Sequence, residues 1–155
     1  GLSPESLIKH LAKDFEISSI EEKAKRSPDT LRHLGMYLNK SWYRLVARAH
    51  TFENMPSVEA LDVAILQRHV LSPLLGIDNP RLSERISFVG GIRGMDELER
   101  RVDEGGDGVA FSMFPTPMEA LLEVADDNEI MPPKSTWFEP KLRSGLFVNP
   151  IFDLP

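Results

Sequence analysis

The sequence predicts an α+β (or α/β) fold, with helices packed on a mixed β-sheet. Two apolar-aromatic runs flank Asn39-Lys40, which is typical of a β-hairpin. From residue 85 onward, strand-like and helix-like stretches alternate, which predicts a βαβαβ segment. The chain has 155 residues, enough for a single domain with its own core. We therefore expect one domain over 1–155, with a helix and the hairpin in 1–55 and the βαβαβ part in 57–155.

The first part of the chain is predicted to begin with a helix. Ser3 precedes Pro4 and Glu5, a pattern typical of a helix start, because serine caps free amides and proline fits the first turn. Apolar residues then share one helical face. They are Leu7, Ile8, Leu11 and Phe15. The charged stretch EEKAKRSPDT, residues 21–30, predicts a surface connection to the hairpin.

The second part is predicted to begin with a helix from about Asp62. Asp62 is a candidate for its N-cap, and Pro73 is expected to end the helix or kink its last turn. Three runs then indicate strands. They are RISFVGG (85–91), GVAFSMF (108–114) and SGLFVNPIF (144–152).

Two further helices are predicted between these strands. One covers about Met95 to Glu104, and the other follows a capping box that begins at Thr116 and ends at Glu119. A strand–helix–strand–helix–strand order implies parallel pairing through right-handed crossovers. With the hairpin added, the sheet is expected to be mixed.

Composition limits the classes of function. The net charge of −6 opposes general binding to phosphate backbones, so we do not expect a nucleic-acid partner. The absence of cysteine excludes disulfides, zinc–thiolate sites and a thiol nucleophile. Because no apolar run approaches the roughly 18 residues of a membrane span, we expect no membrane partner. The histidines lack the spacing of metal ligands, so no metal site is predicted and they are interpreted as surface or boundary residues. They are His10, His33, His50 and His69.

The segment GGIRG is the first candidate ligand-binding segment, with Gly90, Gly91, Arg93 and Gly94 as its candidate residues. Glycines allow backbone amides to approach an anion, and a helix N-terminus adds positive potential. Arg93 would add a fork of donors. The spacing matches neither the dinucleotide fingerprint nor the phosphate loop of nucleotide hydrolases. A tight strand-to-helix turn is the alternative explanation.

Thr116 is the second candidate, although a purely structural cap also explains it. If the two preceding strands are parallel, residues 90–94 and 115–116 leave the sheet at the same carboxyl edge. Ligands usually bind at that edge of open α/β sheets.

The segment IMPPKSTWFEPKLRSG, residues 130–145, is the third candidate. Its three prolines restrict the backbone and lower the cost of ordering a loop. An ammonium group beside two hydroxyls suits a phosphate or carboxylate. The alternative is that Trp137 and Phe138 anchor the loop in the core. The candidate ligand-binding residues are Lys134, Ser135, Thr136, Lys141 and Arg143.

Several motifs resemble the carboxyl-terminal part of a widespread prokaryotic family, catalogued as domain of unknown function 1015. The resemblance covers most of the chain from about residue 31, and the last motif is the most specific. The motifs are SWYRL (41–45), LDVAILQ (61–67), LLGIDNPR (74–81), ISFVGGIRGMDELERRVD (86–103), VAFSMFPTPMEALLEVAD (109–126) and IMPPKSTWFEPKLRSGL (130–146).

The resemblance implies that this chain is the carboxyl-terminal half of a longer cytoplasmic protein, whose N-terminal half would be a partner. The family is related to ParB-like partition proteins, and some ParB-like proteins are kinases of free serine. A phosphoryl-transfer enzyme acting on a small metabolite is therefore implied. Its partners would be a phosphorylated metabolite or a phosphate donor, with Mg²⁺ as a compatible cofactor. The implied functional positions are Lys134, Ser135, Thr136 and Lys141, with the glycine segment next.

Two other functions stay open, and the resemblance assigns no catalytic residue. A non-catalytic interaction or scaffold domain would use the proline-aromatic loop as an anchor for the missing half. A ParB-like nucleic-acid module is the third hypothesis, which the negative charge opposes.

Overall fold

The structure is a computed structural model that describes residues 2–106, 108–132 and 135. The described residues form an antiparallel sheet of order β1-β3-β2-β4 with helices packed on it, so the predicted α+β class is confirmed. The strands are β1 (Phe15–Ile20), β2 (His33–Leu38), β3 (Ser41–Ala47) and β4 (Ala110–Met113). The helices are α1 (Pro4–Leu11), α2 (Asp62–Leu66), α3 (Ser72–Leu75), α4 (Gly94–Asp103) and α5 (Met118–Asp126). Short turns of 3₁₀-helix cover Lys23–Lys25, Ala49–Thr51 and Gly91–Arg93, and a π-helical stretch covers Gln67–Leu71.

The predicted hairpin is present as β2 and β3. Asn39 and Lys40 have φ values of 48° and 62°, and Leu38 pairs with Ser41 directly beside them. Two consecutive positive φ values are typical of the tight hairpin turn whose twist matches that of the strands. The short turn therefore sets the register of the central strand pair.

The predicted βαβαβ arrangement is wrong within the described residues. β4 pairs antiparallel with β2, from Leu34↔Met113 to Tyr37↔Ala110. Residues 86–89 form no strand. A short apolar run does not specify strand pairing, and here Ile86 packs against the core while Ser87 accepts a hydrogen bond from Arg101. The predicted last strand, residues 144–152, lies outside the described residues.

The sequence did not predict β1. Helix α1 begins as expected, with the Ser3 hydroxyl accepting from the backbone N–H of Ser6. It ends at Leu11, however, and Phe15 begins β1 by pairing with Ala47. Phe15 is fully buried. Because an inward apolar residue at this position suits either a longer helix or a strand, the spacing alone could not separate the two.

The helical stretch after residue 61 contains a π-helical turn. Ser72 donates its backbone N–H to the carbonyl of Gln67, five residues earlier, at the end of Gln67–Leu71. Pro73 has no N–H to give to the carbonyl of His69, which disrupts the α-helical pattern here. The helix then ends at Gly76, whose φ is 65°. Pro73 therefore alters the last turns, as predicted.

The two faces of the sheet are covered differently. Residues that alternate along the strands point to opposite sides, and on one side Leu34, Met36 and Leu45 pack with the apolar residues of α1 and α2. On the other side, α4 is held by hydrogen bonds to Tyr37 and Trp42. The first face forms the hydrophobic core.

Candidate ligand-binding cleft

A cleft of about 600 Å³ lies beside the end of the β2–β4 strand pair. Its walls come from residues 31–32, from 55–63, and from the connection between β4 and α5. Met113 pairs with Leu34, so the chain leaves β4 next to the beginning of β2. This volume falls in the range typical of small-molecule sites.

A buried ion pair forms one wall of the cleft. The Arg32 guanidinium donates to Oδ1 of Asp62 at 2.9 Å, and the Arg32 backbone N–H donates to both carboxylate oxygens at 3.2 and 3.1 Å. The same guanidinium lies 4.7 Å from the centre of the Phe52 ring and donates to the Ala60 carbonyl. These contacts fix a positive group and a negative group at the cleft wall.

Asp62 does not cap helix α2 as predicted. Leu61 occupies the N-cap position without a side-chain hydrogen bond, and Asp62 is the first residue of the helix. Burial raises the pKa of Asp62, although the hydrogen bonds and charge of Arg32 act in the opposite direction. The Asp62 carboxylate accepts from Arg32 instead of from the free amides of its own helix. Arg32 has a φ of 67°, and its backbone N–H donates to that carboxylate.

Thr116 does not form the predicted capping box either. Pro117 is the N-cap of α5, with no side-chain hydrogen bond. The Thr116 hydroxyl instead donates to the Ser135 carbonyl at 3.0 Å, while the Ser135 hydroxyl donates to the Pro132 carbonyl at 2.7 Å. Both Thr116 and Ser135 line the cleft. The structure therefore brings the second and third predicted segments together.

Acidic residues of α5 face the cleft, which sequence reasoning missed. Glu119, Glu123 and Asp127 all line it, and their spacing of four places them on one side of the helix. Together with Asp62 they make four acidic residues, whereas Arg32 is the one cation among the described lining residues. The described wall is therefore negative. The signal in the sequence was the repeat of acids four residues apart.

The glycine segment does not join this cleft. Gly91–Arg93 is a 3₁₀ turn and α4 begins at Gly94, which has a φ of 72°. None of Gly90, Gly91, Arg93 and Gly94 lines the cleft. These residues were expected to lie near Thr116 because both segments were predicted to follow parallel strands. β4 pairs antiparallel with β2, so this expectation no longer holds. Their role in ligand binding stays a prediction.

The remaining candidates of the third segment lie outside the described residues. They are Lys134, Thr136, Lys141 and Arg143, together with the aromatic pair Trp137 and Phe138. Over 2–106, 108–132 and 135, no group of three or more His, Asp or Glu side chains is placed to hold a metal ion. None of the helices in this part of the chain is long and apolar enough to cross a membrane.

Comparison with protein families, curated proteins and solved structures finds no match to this chain. The resemblance of its motifs to domain of unknown function 1015 therefore stays a prediction.

Proposed function

We propose that this cleft binds a small phosphorylated metabolite, and that the chain forms part of a phosphoryl-transfer enzyme. The observation that carries the proposal is the hydrogen bond from Thr116 to the Ser135 carbonyl, at 3.0 Å. It attaches Ser135, the middle residue of the Lys-Ser-Thr sequence, to the cleft wall.

Phosphoryl transfer depends mainly on positioning and on positive charge around the transferred group. Lys134 and Thr136 are the chain neighbours of Ser135, and Lys141 is close in sequence. Ser57 also lines the cleft and adds a further side-chain hydroxyl, which would have to rotate from its buried position to reach a ligand oxygen.

The acidic side of the cleft narrows the ligand class. Glu119, Glu123 and Asp127 would repel a bare phosphate. Mg²⁺ typically keeps several waters and binds one or two carboxylates together with substrate phosphates. The acids therefore favour a magnesium-bound phosphate donor, and an acceptor that carries an ammonium group, such as serine. No described residue is assigned as the catalytic base.

Thermal unfolding with added ligands tests the proposal. The ligands are phosphoserine, serine, phosphate, pyrophosphate, ADP and ATP, each with and without magnesium. A ligand at about 100 times its dissociation constant should add roughly 2.7 kcal/mol to the free energy of unfolding. Thr116→Val removes the donor to Ser135 at nearly constant volume, and Lys134→Ala removes the adjacent cation. Both should reduce the ligand-induced shift.

Lys9→Ala is the matched control, because Lys9 is an exposed lysine that does not line the cleft. An equal ligand shift in wild type, Thr116→Val and Lys134→Ala would contradict the proposal. Failure of every ligand, with this chain and with any longer protein that contains it, would also contradict it. That result would favour the scaffold hypothesis.

A further inference from the structure

A polar cluster outside the cleft joins residues that are distant in sequence. Asp14 lies in the turn between α1 and β1, and its two carboxylate oxygens contact two histidines. Nε2 of His50 is 2.9 Å from Oδ1, and Nδ1 of His69 is 3.3 Å from Oδ2. The two imidazole rings meet edge to face, with centres 6.3 Å apart. One carboxylate therefore connects three segments of the chain.

The hydrogen bonds assign the proton of His69. The Nε–H of Arg68 donates to Nε2 of His69 at 3.2 Å, so this nitrogen accepts and the ring proton is on Nδ1, facing Asp14. Arg68 also donates to the Thr51 carbonyl at 2.6 Å and to the Glu59 carboxylate. Arg68 and His69 both belong to the π-helical turn, a local structure that often occurs at functional sites.

Both oxygens of the Asp14 carboxylate have partners within this cluster. Burial acts to raise the pKa of Asp14, but the hydrogen bonds of His50 and His69 help to lower it below its ordinary value. The carboxylate is therefore ionised at neutral pH, with both of its oxygens committed to histidines. A second anion nearby would meet less repulsion than an isolated carboxylate exerts.

Two other groups of the same region are uncommitted. The Nδ1–H of His10 donates to the Ser6 carbonyl at 2.7 Å, so Nε2 lacks a proton in the neutral ring and becomes a second donor once the ring is charged. Lys13 has no ion-pair partner among the described residues. Both line a pocket of about 290 Å³ with Asp14, Arg68 and His69, and Leu74 supplies an apolar wall.

We propose that this pocket binds a small oxyanion, a carboxylate or phosphate group, between the Lys13 ammonium and the His10 ring. Binding strengthens as the pH falls, because a proton taken up by the His10 ring adds a positive charge and a second donor beside the ligand. The charged and titratable groups that line the pocket, or that contact a group lining it, come from three segments. They are His10, Lys13 and Asp14 from α1 and its turn, His50 from the 3₁₀ turn, and Arg68 and His69 from the π-helical turn, with Glu59 paired to Arg68.

Titration of the chain with sulfate, followed by NMR signals of the histidine rings, tests the proposal. Sulfate keeps the same charge from about pH 5.5 to about pH 8, so a change in affinity over this range reports on the protein's own groups. We expect saturable shifts of the His10 signals, with tighter binding at the lower pH. A parallel titration with acetate distinguishes a carboxylate site from a phosphate-type site.

Lys13→Gln should weaken sulfate binding about tenfold, which corresponds to the loss of one charge-assisted hydrogen bond. Lys9→Gln is the control, since Lys9 is an exposed lysine of α1 that does not line the pocket. His10→Gln should remove most of the pH dependence. Equal affinity in wild type and Lys13→Gln, or no saturable binding of either anion at either pH, would overturn the proposal. Thr116→Val should leave this binding unchanged, which separates the pocket from the cleft.

Discussion

The two faces of the central hairpin are closed by different kinds of interaction. On the core face, Met36 and Leu45 are completely buried among apolar side chains. On the opposite face, the Tyr37 hydroxyl donates to Asp103 at 3.0 Å and the Trp42 indole N–H donates to Glu99 at 2.7 Å, both on α4. One face therefore excludes water by packing, while the other holds its helix through directed bonds to carboxylates.

Because of this difference, the two faces should respond differently to pH and to changes in side-chain volume. Apolar packing depends on volume and responds little to pH. The α4 face contains titratable partners and a close backbone approach at Gly35, so it should respond to pH and to a single added methyl group. Variants on each face test whether the two faces respond differently.

Leu45→Ala should give the largest loss of stability. Leu45 is fully buried on the core face of β3, and truncation of such a leucine typically costs about 2–5 kcal/mol through lost burial and a cavity. Denaturant unfolding at neutral pH and at about pH 10 should give the same difference from wild type. A loss below about 1 kcal/mol would mean that the core collapses around the deletion.

Gly35→Ala should cost about 1–3 kcal/mol by overpacking the α4 face. A Cβ at Gly35 would lie 2.3 Å from Ser112 Oγ and 2.7 Å from the Arg26 carbonyl oxygen. The hydroxyl can rotate away, but the carbonyl belongs to the backbone. Denaturant unfolding measures the difference.

Gly90→Ala is the control for this substitution. A Cβ at Gly90 would meet no atom within 4 Å, and its φ of −65° suits any residue. The alanine should be neutral or stabilise the chain by up to about 1 kcal/mol. Equal losses in both variants would show that the close approach at Gly35 does not set the effect.

Local features of the fold were predictable from the sequence, whereas strand pairing was not. The Ser3 cap and the Asn39-Lys40 turn depend on neighbouring residues, and both occur as predicted. The partner of β4 depends on contacts between residues about 75 positions apart, such as Leu34 and Met113. An apolar run indicates burial but does not name its neighbour.

The candidate cleft was predictable only in part, for a related reason. Thr116 and Ser135 were predicted as binding residues and lie side by side, although Thr116 uses its hydroxyl for a partner 19 residues away rather than for a cap. The Arg32–Asp62 pair was missed because no local pattern connects two residues that are 30 positions apart in the sequence. Its formation depends on the positive φ of Arg32 and on the position of α2, which are tertiary properties.

Tyr37→Phe should give the smallest loss, about 1 kcal/mol at neutral pH, because it removes one hydrogen bond to an exposed partner. Burial raises the pKa of the Tyr37 hydroxyl above its ordinary value of 10.0, and the hydrogen bond to Asp103 raises it further. A raised folded-state pKa means that the contribution is complete below the unfolded value and is lost as pH rises through the folded value.

The difference between wild type and Tyr37→Phe should therefore be constant up to about pH 9 and shrink above about pH 10. Denaturant unfolding across this range measures it. Tyr43→Phe serves as the neutral-pH control, because the Tyr43 hydroxyl makes no hydrogen bond among the described residues, and its loss should be smaller. A difference that stays constant into the alkaline range would show that the protonated Tyr37 hydroxyl and its bond to Asp103 do not set the loss, and the contrast between the two faces would disappear at this position.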